Sequence, residues 1–218
     1  MTWRFFWAYI VMLALLPYGY ALGQPGQKSV AEPPRKEISG VPYRGGLVSP
    51  PLPKASFTLT DTSAAPFDFR QQTQGYVTLL FFGYTRCPDL CPLHMANIAF
   101  ALKQLPTNVA EQIKVVFVTT DPQRDSPKVL RSWLDRFDKR FIGLTGSESA
   151  IEAAQKASAV PPARKAALTD RDYQVGHASF VLAYTKDNLA RVIYPGGITQ
   201  KDWEHDLPLL VKGVGSNP

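Results

Sequence analysis

Two cysteines, Cys87 and Cys91, are the only ones in this 218-residue chain, and they stand four positions apart in GYTRCPDLCP, residues 83–92. A bridge so short would remove little entropy from the unfolded chain, so stapling the fold does not account for the pair. A thiolate is both a nucleophile and a soft metal ligand, which leaves two chemistries: a redox dithiol, or a chelate selecting Cu(I) or Zn(II) over hard cations. The CxxxC spacing differs from the CxxC of general thiol oxidoreductases. Pro88, Pro92 and Asp89 make a poor core segment, against a pair of inert buried thiols. A two-thiolate chelate needs at least one more ligand, and the chain has three histidines. His177, in YQVGHASFVLAY, stands where a loop enters a strand, with Gly176 before it to free the backbone. It is the leading ligand candidate, beside the plainer reading of a structural or exposed histidine. His94, three residues past Cys91, is an accessory candidate that reads rather as a cap or a solvent-facing side chain. His205, among charges near the C-terminus, reads as solvated.

The segments around these residues predict how they are held. Residues 76–84, YVTLLFFGY, form a β-branched and aromatic run expected to be a strand buried on both faces. Residues 93–105 carry Met95, Ile98, Ala99, Leu102 and Leu105 at helical spacing and stop at Pro106. The cysteines therefore lie between a buried strand and a helix N-terminus, whose unpaired N–H groups and positive dipole favour thiolates. Pro88 and Pro92 predict that both sulfurs are presented from a tight turn before regular helix begins. A second buried strand is expected over 113–119, then a helix capped by Ser126 with Pro127 at its first position, running through Phe137. A short strand at 141–145, a helix over 147–158, strands over 178–184 and 190–194 joined by a KDN turn, and a helix over 199–211 complete the chain. Before all of these, SFTLT and FDFR predict a β-hairpin. The order predicts an α/β domain of thioredoxin-like fold with an N-terminal β-hairpin.

Residues 1–23 read as a signal peptide or membrane anchor: one basic residue, then an apolar run broken by Pro17 and Gly19. Cleavage after Gly23 is the expected processing, and no cysteine lies there for a lipid anchor. Residues 24–54, with PGQ, EPPRKE and SPPLPK, read as a Pro-rich tether, leaving 55–218 as the folded domain. The short, Arg-poor leader predicts a bacterial periplasmic protein or one on the periplasmic face of the inner membrane. The net charge of +6 comes from Lys and Arg spread among acids, which suits acidic membrane or protein surfaces and not nucleic acid.

FFGYTRCPDLCP, VVFVTTDPQRDSPKVL, FDKRFIGLTG and VGHASFVLAY together resemble the Sco/SenC family of copper-binding proteins, over residues 56–210. The resemblance implies copper, as Cu(I) and/or Cu(II), bound by the two cysteines of the motif and one distant histidine: Cys87, Cys91 and His177. It implies a metallochaperone, not primarily an enzyme, serving the dinuclear copper site of a copper-bearing cytochrome c oxidase subunit, with other copper chaperones as further partners. The rival is a thiol-disulfide reductase that uses Cys87 and Cys91 as a redox disulfide; a copper or redox sensor is a third reading. Asp121, Arg124 and Asp125 match the family's DPxRD and read as a salt-bridged loop shaping the site or meeting a partner, or else as a helix cap. Asp89 joins them as an accessory or partner contact. The family carries an acidic residue before its histidine, in DHS or DHT, where this chain has Gly176 and Ala178. The GHAS entry also lacks the proline that thioredoxin-like oxidoreductases place opposite their cysteines.

Overall fold

The computed structural model describes residues 42–169 and 172–213. The expected signal or anchor, and the tether up to Val41, lie outside them. Among the described residues no helix is long and apolar enough to cross a membrane.

An eight-stranded mixed sheet is the frame. At its centre β4 (Val77–Gly83) lies parallel to β5 (Ile113–Thr119), with Phe81 opposite Phe117 and Gly83 opposite Thr119. Every residue of β4 is buried, as its β-branched and aromatic run predicts. Beyond β5 comes β6 (Ile142–Thr145), also parallel, then the hairpin of β2 (Thr58–Asp61) and β3 (Pro66–Asp68). On the other side β4 pairs antiparallel with β9 (Val181–Tyr184), which pairs with β10 (Leu189–Tyr194).

Period-two alternation splits the core by face. Val77, Leu79, Phe81, Val115 and Phe117 pack with α2 (Leu90–Gln104), α4 (Pro127–Leu134) and α6 (Gln200–Lys212). Leu80, Phe82, Val116 and Val118 face the other way, onto α1 (Phe69–Gln72) and α5 (Glu148–Ala157). The helix starts follow local chemistry: Ser126 accepts from the Val129 amide and Ser147 from that of Ala150, while Thr199 and Asp202 form a reciprocal capping box. One further helical turn, α3 (Thr107–Ala110), follows Pro106.

Four expectations are corrected. Gly46–Pro53 forms β1, antiparallel to β10, so folded structure begins before residue 55 and the tether does not extend to Lys54. Pro50 and Pro51 fall where the β1–β10 register breaks, between Leu47 and Leu52, and β1 is an edge strand, the two settings in which a sheet tolerates proline. Helix α2 starts at Leu90, not Leu93, so Cys91 lies within it. Pro92 is its third residue, where the amide has no intrahelical acceptor to lose. FDFR is strand only to Asp68, whose side chain then caps α1. Finally, β7 (Arg164–Thr169) and β8 (Asp172–Gly176) form a separate antiparallel ribbon that no hydrophobic alternation announced, and residues 177–180 lie outside the strands.

Candidate metal centre

The three residues meet at the carboxyl end of β4. Cys91 is the second residue of α2 and fully buried, packed against Gly83 so closely that a Cβ added there would lie 2.7 Å from its Sγ. Cys87 is half-buried in the loop between β4 and α2, its amide turned back to the Tyr84 carbonyl at 3.2 Å. His177 follows directly on β8. The two sulfurs and an imidazole nitrogen lie within 4.8 Å of one another, with His177 Nε2 at 3.4 Å from Cys91 Sγ.

His177 is oriented for ligation. Its Nδ1 lies 2.9 Å from the Ala178 carbonyl oxygen, which can only accept, so Nδ1 donates there and Nε2 is the ring nitrogen turned toward the sulfurs. Tyr84 and Phe81 meet the imidazole edge-on, with centroids at 5.6 and 5.9 Å, which limits its rotation. Two soft sulfurs and an imidazole suit Cu(I) or Zn(II) and disfavour Mg(II) or Ca(II).

The sulfurs are not equivalent. A hydrogen bond from Cys91, opposed by partial burial and helped by His177 and the amides of Asp89 and Cys91, holds the Cys87 thiol well below its usual range. Burial, then the neighbouring Cys87 thiolate, pushes Cys91 far up. The pair thus shares one proton, Cys87 as thiolate and Cys91 as its donor.

The DPxRD loop supports both halves of the centre. Asp125 is fully buried and accepts from the Thr85 amide at 2.9 Å, the Thr85 hydroxyl at 2.5 Å and the Thr119 hydroxyl at 2.7 Å. It thereby ties the loop before Cys87 to β5. Asp121, also fully buried, pairs with Arg124 and accepts from the Tyr173 phenol at 2.6 Å. Arg124 lies over the Tyr173 ring at 3.8 Å and donates to its carbonyl at 3.0 Å, gripping β8 four residues before His177. Ser126 supplies the cap of α4, so these carboxylates reach toward the site and not along the helix.

Asp89 occupies the cap position of α2 but makes no capping bond with its exposed side chain; its backbone amide serves Cys87. His94 is neither a cap nor solvent-facing: it is 2% exposed, with Nε2 at 3.1 Å from the Ser179 carbonyl. His205 is exposed as expected, yet hydrogen-bonded to buried Asp206 at 2.7 Å. Tyr173 was missed. The Arg124 side chain it meets was flagged, but nothing in the sequence pairs residues so far apart.

A thioredoxin-like sheet with two cysteines at a helix N-terminus and a histidine brought onto them defines a thiolate-imidazole protein for soft metal or redox chemistry. The SCO1/SenC family model matches residues 49–211, and the chain belongs to that family. It is 30% identical over 205 residues to Protein sco1 of Schizosaccharomyces pombe, covering 90% of this chain and 70% of that one. An SCO2-like protein of Rickettsia prowazekii is 34% identical over 132 residues, 60% of this chain and 63% of its own length. Against a Stutzerimonas stutzeri relative the match spans 58% of that protein's length. Among solved structures, apo Sco1 of Thermus thermophilus superposes with a TM-score of 0.69 at 30% identity, covering 78% of this chain and 97% of that one. Copper-bound ScoI of Bradyrhizobium japonicum gives 0.64 at 28%, covering 72% and 99%.

Proposed function

We propose that this protein is a copper metallochaperone that holds its cargo between Cys87, Cys91 and His177 and delivers it to the dinuclear copper site of a cytochrome c oxidase subunit. The observation that carries the reading is the convergence of the three ligand atoms within 4.8 Å, from elements far apart in sequence. The copper-bound ScoI of Bradyrhizobium japonicum supports the choice of metal. Delivery proceeds by ligand exchange: client thiolates replace Cys87, His177 and Cys91 one at a time, so the ion is never released to water. Half-buried Cys87 is the sulfur a client reaches first; buried Cys91 is the last to let go. Binding copper requires Cys91 to give up the proton it shares with Cys87, so loading releases protons. An anchor over residues 1–23 and a tether to residue 41 would hold the domain at the periplasmic face of the membrane beside a membrane client, raising its effective concentration. Other copper chaperones would load it.

The test is transfer from the copper-loaded chain to a reduced, copper-free soluble domain of the oxidase subunit, followed by the client's own absorption. Copper appearing in the client at equal stoichiometry supports the reading. Reduction of an oxidised client by the metal-free protein, unaffected by His177→Ala and with no copper transfer, would favour the reductase reading.

A further inference from the structure

His94 lies three residues beyond Cys91 in α2, on the same buried face of the helix. Its Nε2 reaches the carbonyl oxygen of Ser179 at 3.1 Å, a contact between residues 85 apart in the chain. A carbonyl only accepts, so Nε2 carries the proton and the ring donates. Ser179 is two residues past His177, in the 177–180 loop. Strand pairing fixes the loop only at its ends, through Gly176 opposite Arg164 and Val181 opposite Phe81. The His94 ring also packs on Phe81 at 5.1 Å, and the same phenyl meets His177 edge-on at 5.9 Å. Helix α2 thus touches the His177 loop by a hydrogen bond and through a shared aromatic ring.

The identity of residue 94 is otherwise hard to account for. His94 Nδ1 is buried without a hydrogen-bond partner, so leucine would fill the site without an unsatisfied nitrogen. What histidine adds there is the bond to Ser179. Gly176 and Ala178, the immediate neighbours of His177, have no polar side chain to orient it. We propose that His94 is a positioning residue, a strut between the helix bearing Cys91 and the loop bearing His177, which sets the distance between those two copper ligands. The inference rests on the copper-chaperone reading for its consequence, though not for its geometry. Burial pulls the His94 pKa down, in keeping with a neutral ring that donates one N–H.

The test uses the reduced full-length chain with His94→Leu, which removes the donor, and His94→Gln, which returns an N–H near the Nε2 position. Amide hydrogen exchange over 178–180 is read without metal, and Cu(I) affinity by competition with a chromogenic chelator. His94→Leu should speed exchange in that loop and weaken copper on the order of tenfold, as loss of a partner orienting a ligand does, and His94→Gln should recover both. Wild-type loop exchange in His94→Leu would overturn the strut whatever copper does. Faster loop exchange in a chain whose wild type binds no copper would keep the strut and remove the chaperone reading.

Discussion

The Tyr173 phenol donates to the Asp121 carboxylate at 2.6 Å, joining the exposed β7–β8 ribbon to the loop after β5 across 52 residues. Because His177 is four residues further along the same strand and loop, this bond is part of what delivers the imidazole to the sulfurs. Tyr173→Phe keeps the ring under Arg124 and deletes only the hydroxyl. We expect a loss of about 1.5–3 kcal/mol in stability, the usual value for a hydrogen bond to a charged group, with faster amide exchange confined to residues 172–177. Exchange unchanged in that stretch would show that Arg124 alone secures the ribbon.

Gly83 is demanded by contact, not by its backbone angles. An added methyl would lie 2.7 Å from Cys91 Sγ and 3.1 Å from the Phe117 ring. Gly83→Ala should cost about 1–3 kcal/mol by overpacking, measured by chemical denaturation, and should displace Cys91 from His177. The same variant is therefore expected to bind metal more weakly. Full stability and full binding together would contradict the packing described.

The unequal sulfurs predict unequal alkylation. Cys87, half-buried and held as a thiolate, should take a single iodoacetamide adduct, found by peptide mass mapping, while buried Cys91 stays unmodified in the folded protein. Its lowered pKa means the rate should hardly change between pH 8 and pH 6, where an ordinary thiol with a pKa of about 8.5 slows by roughly two orders of magnitude. A first adduct at Cys91, or the ordinary pH fall, would reverse the assignment of the shared proton.

Lys54, only 1% exposed, donates from Nζ to the Thr73 carbonyl, the Thr73 hydroxyl and the Thr78 hydroxyl, each at 3.1 Å. Burial, reinforced by Arg70 and Lys114 against a weaker pull from Asp187, lowers its pKa from 10.5 to about 8. Below the folded value both states are protonated, and the folded state carries the full penalty of the buried charge. Between about pH 8 and 10.5 the unfolded chain binds more protons, so this group makes stability rise with pH there, by about 3 kcal/mol in total. Denaturation at pH 7.5 and pH 9.5 should show Lys54→Met losing the rise that the wild type keeps. Parallel pH dependence in the two proteins would refute the assignment.

The sequence made the centre legible where residue type alone decides chemistry. Two cysteines with turn-forming neighbours, after a buried strand, and a histidine at a strand entrance made Cys87, Cys91 and His177 candidates, and the resemblance to the Sco/SenC family joined them into one ligand set. What stayed hidden depends on tertiary context. The β7 strand is exposed along its whole length, so it has no apolar alternation to reveal it, and Tyr173 was hidden with it. Residues 178–180 alternate like a strand but leave the ladder, which frees the loop to present His177. Pro-rich β1 read as tether because proline's exclusion from strands does not hold at a sheet edge. His94 read as a surface residue because its partner, the Ser179 carbonyl, is a backbone atom that no side-chain pattern encodes.

The central claim is that Cys87, Cys91 and His177 act as one ligand set. The most direct measurement is copper stoichiometry and Cu(I) affinity of the reduced full-length chain beside His177→Ala and a Cys87→Ser, Cys91→Ser double variant. The account predicts near-equimolar copper in the wild type, weakened by at least about tenfold in His177→Ala and abolished in the double variant. Copper bound equally well without His177, or no copper in the wild type, would contradict it.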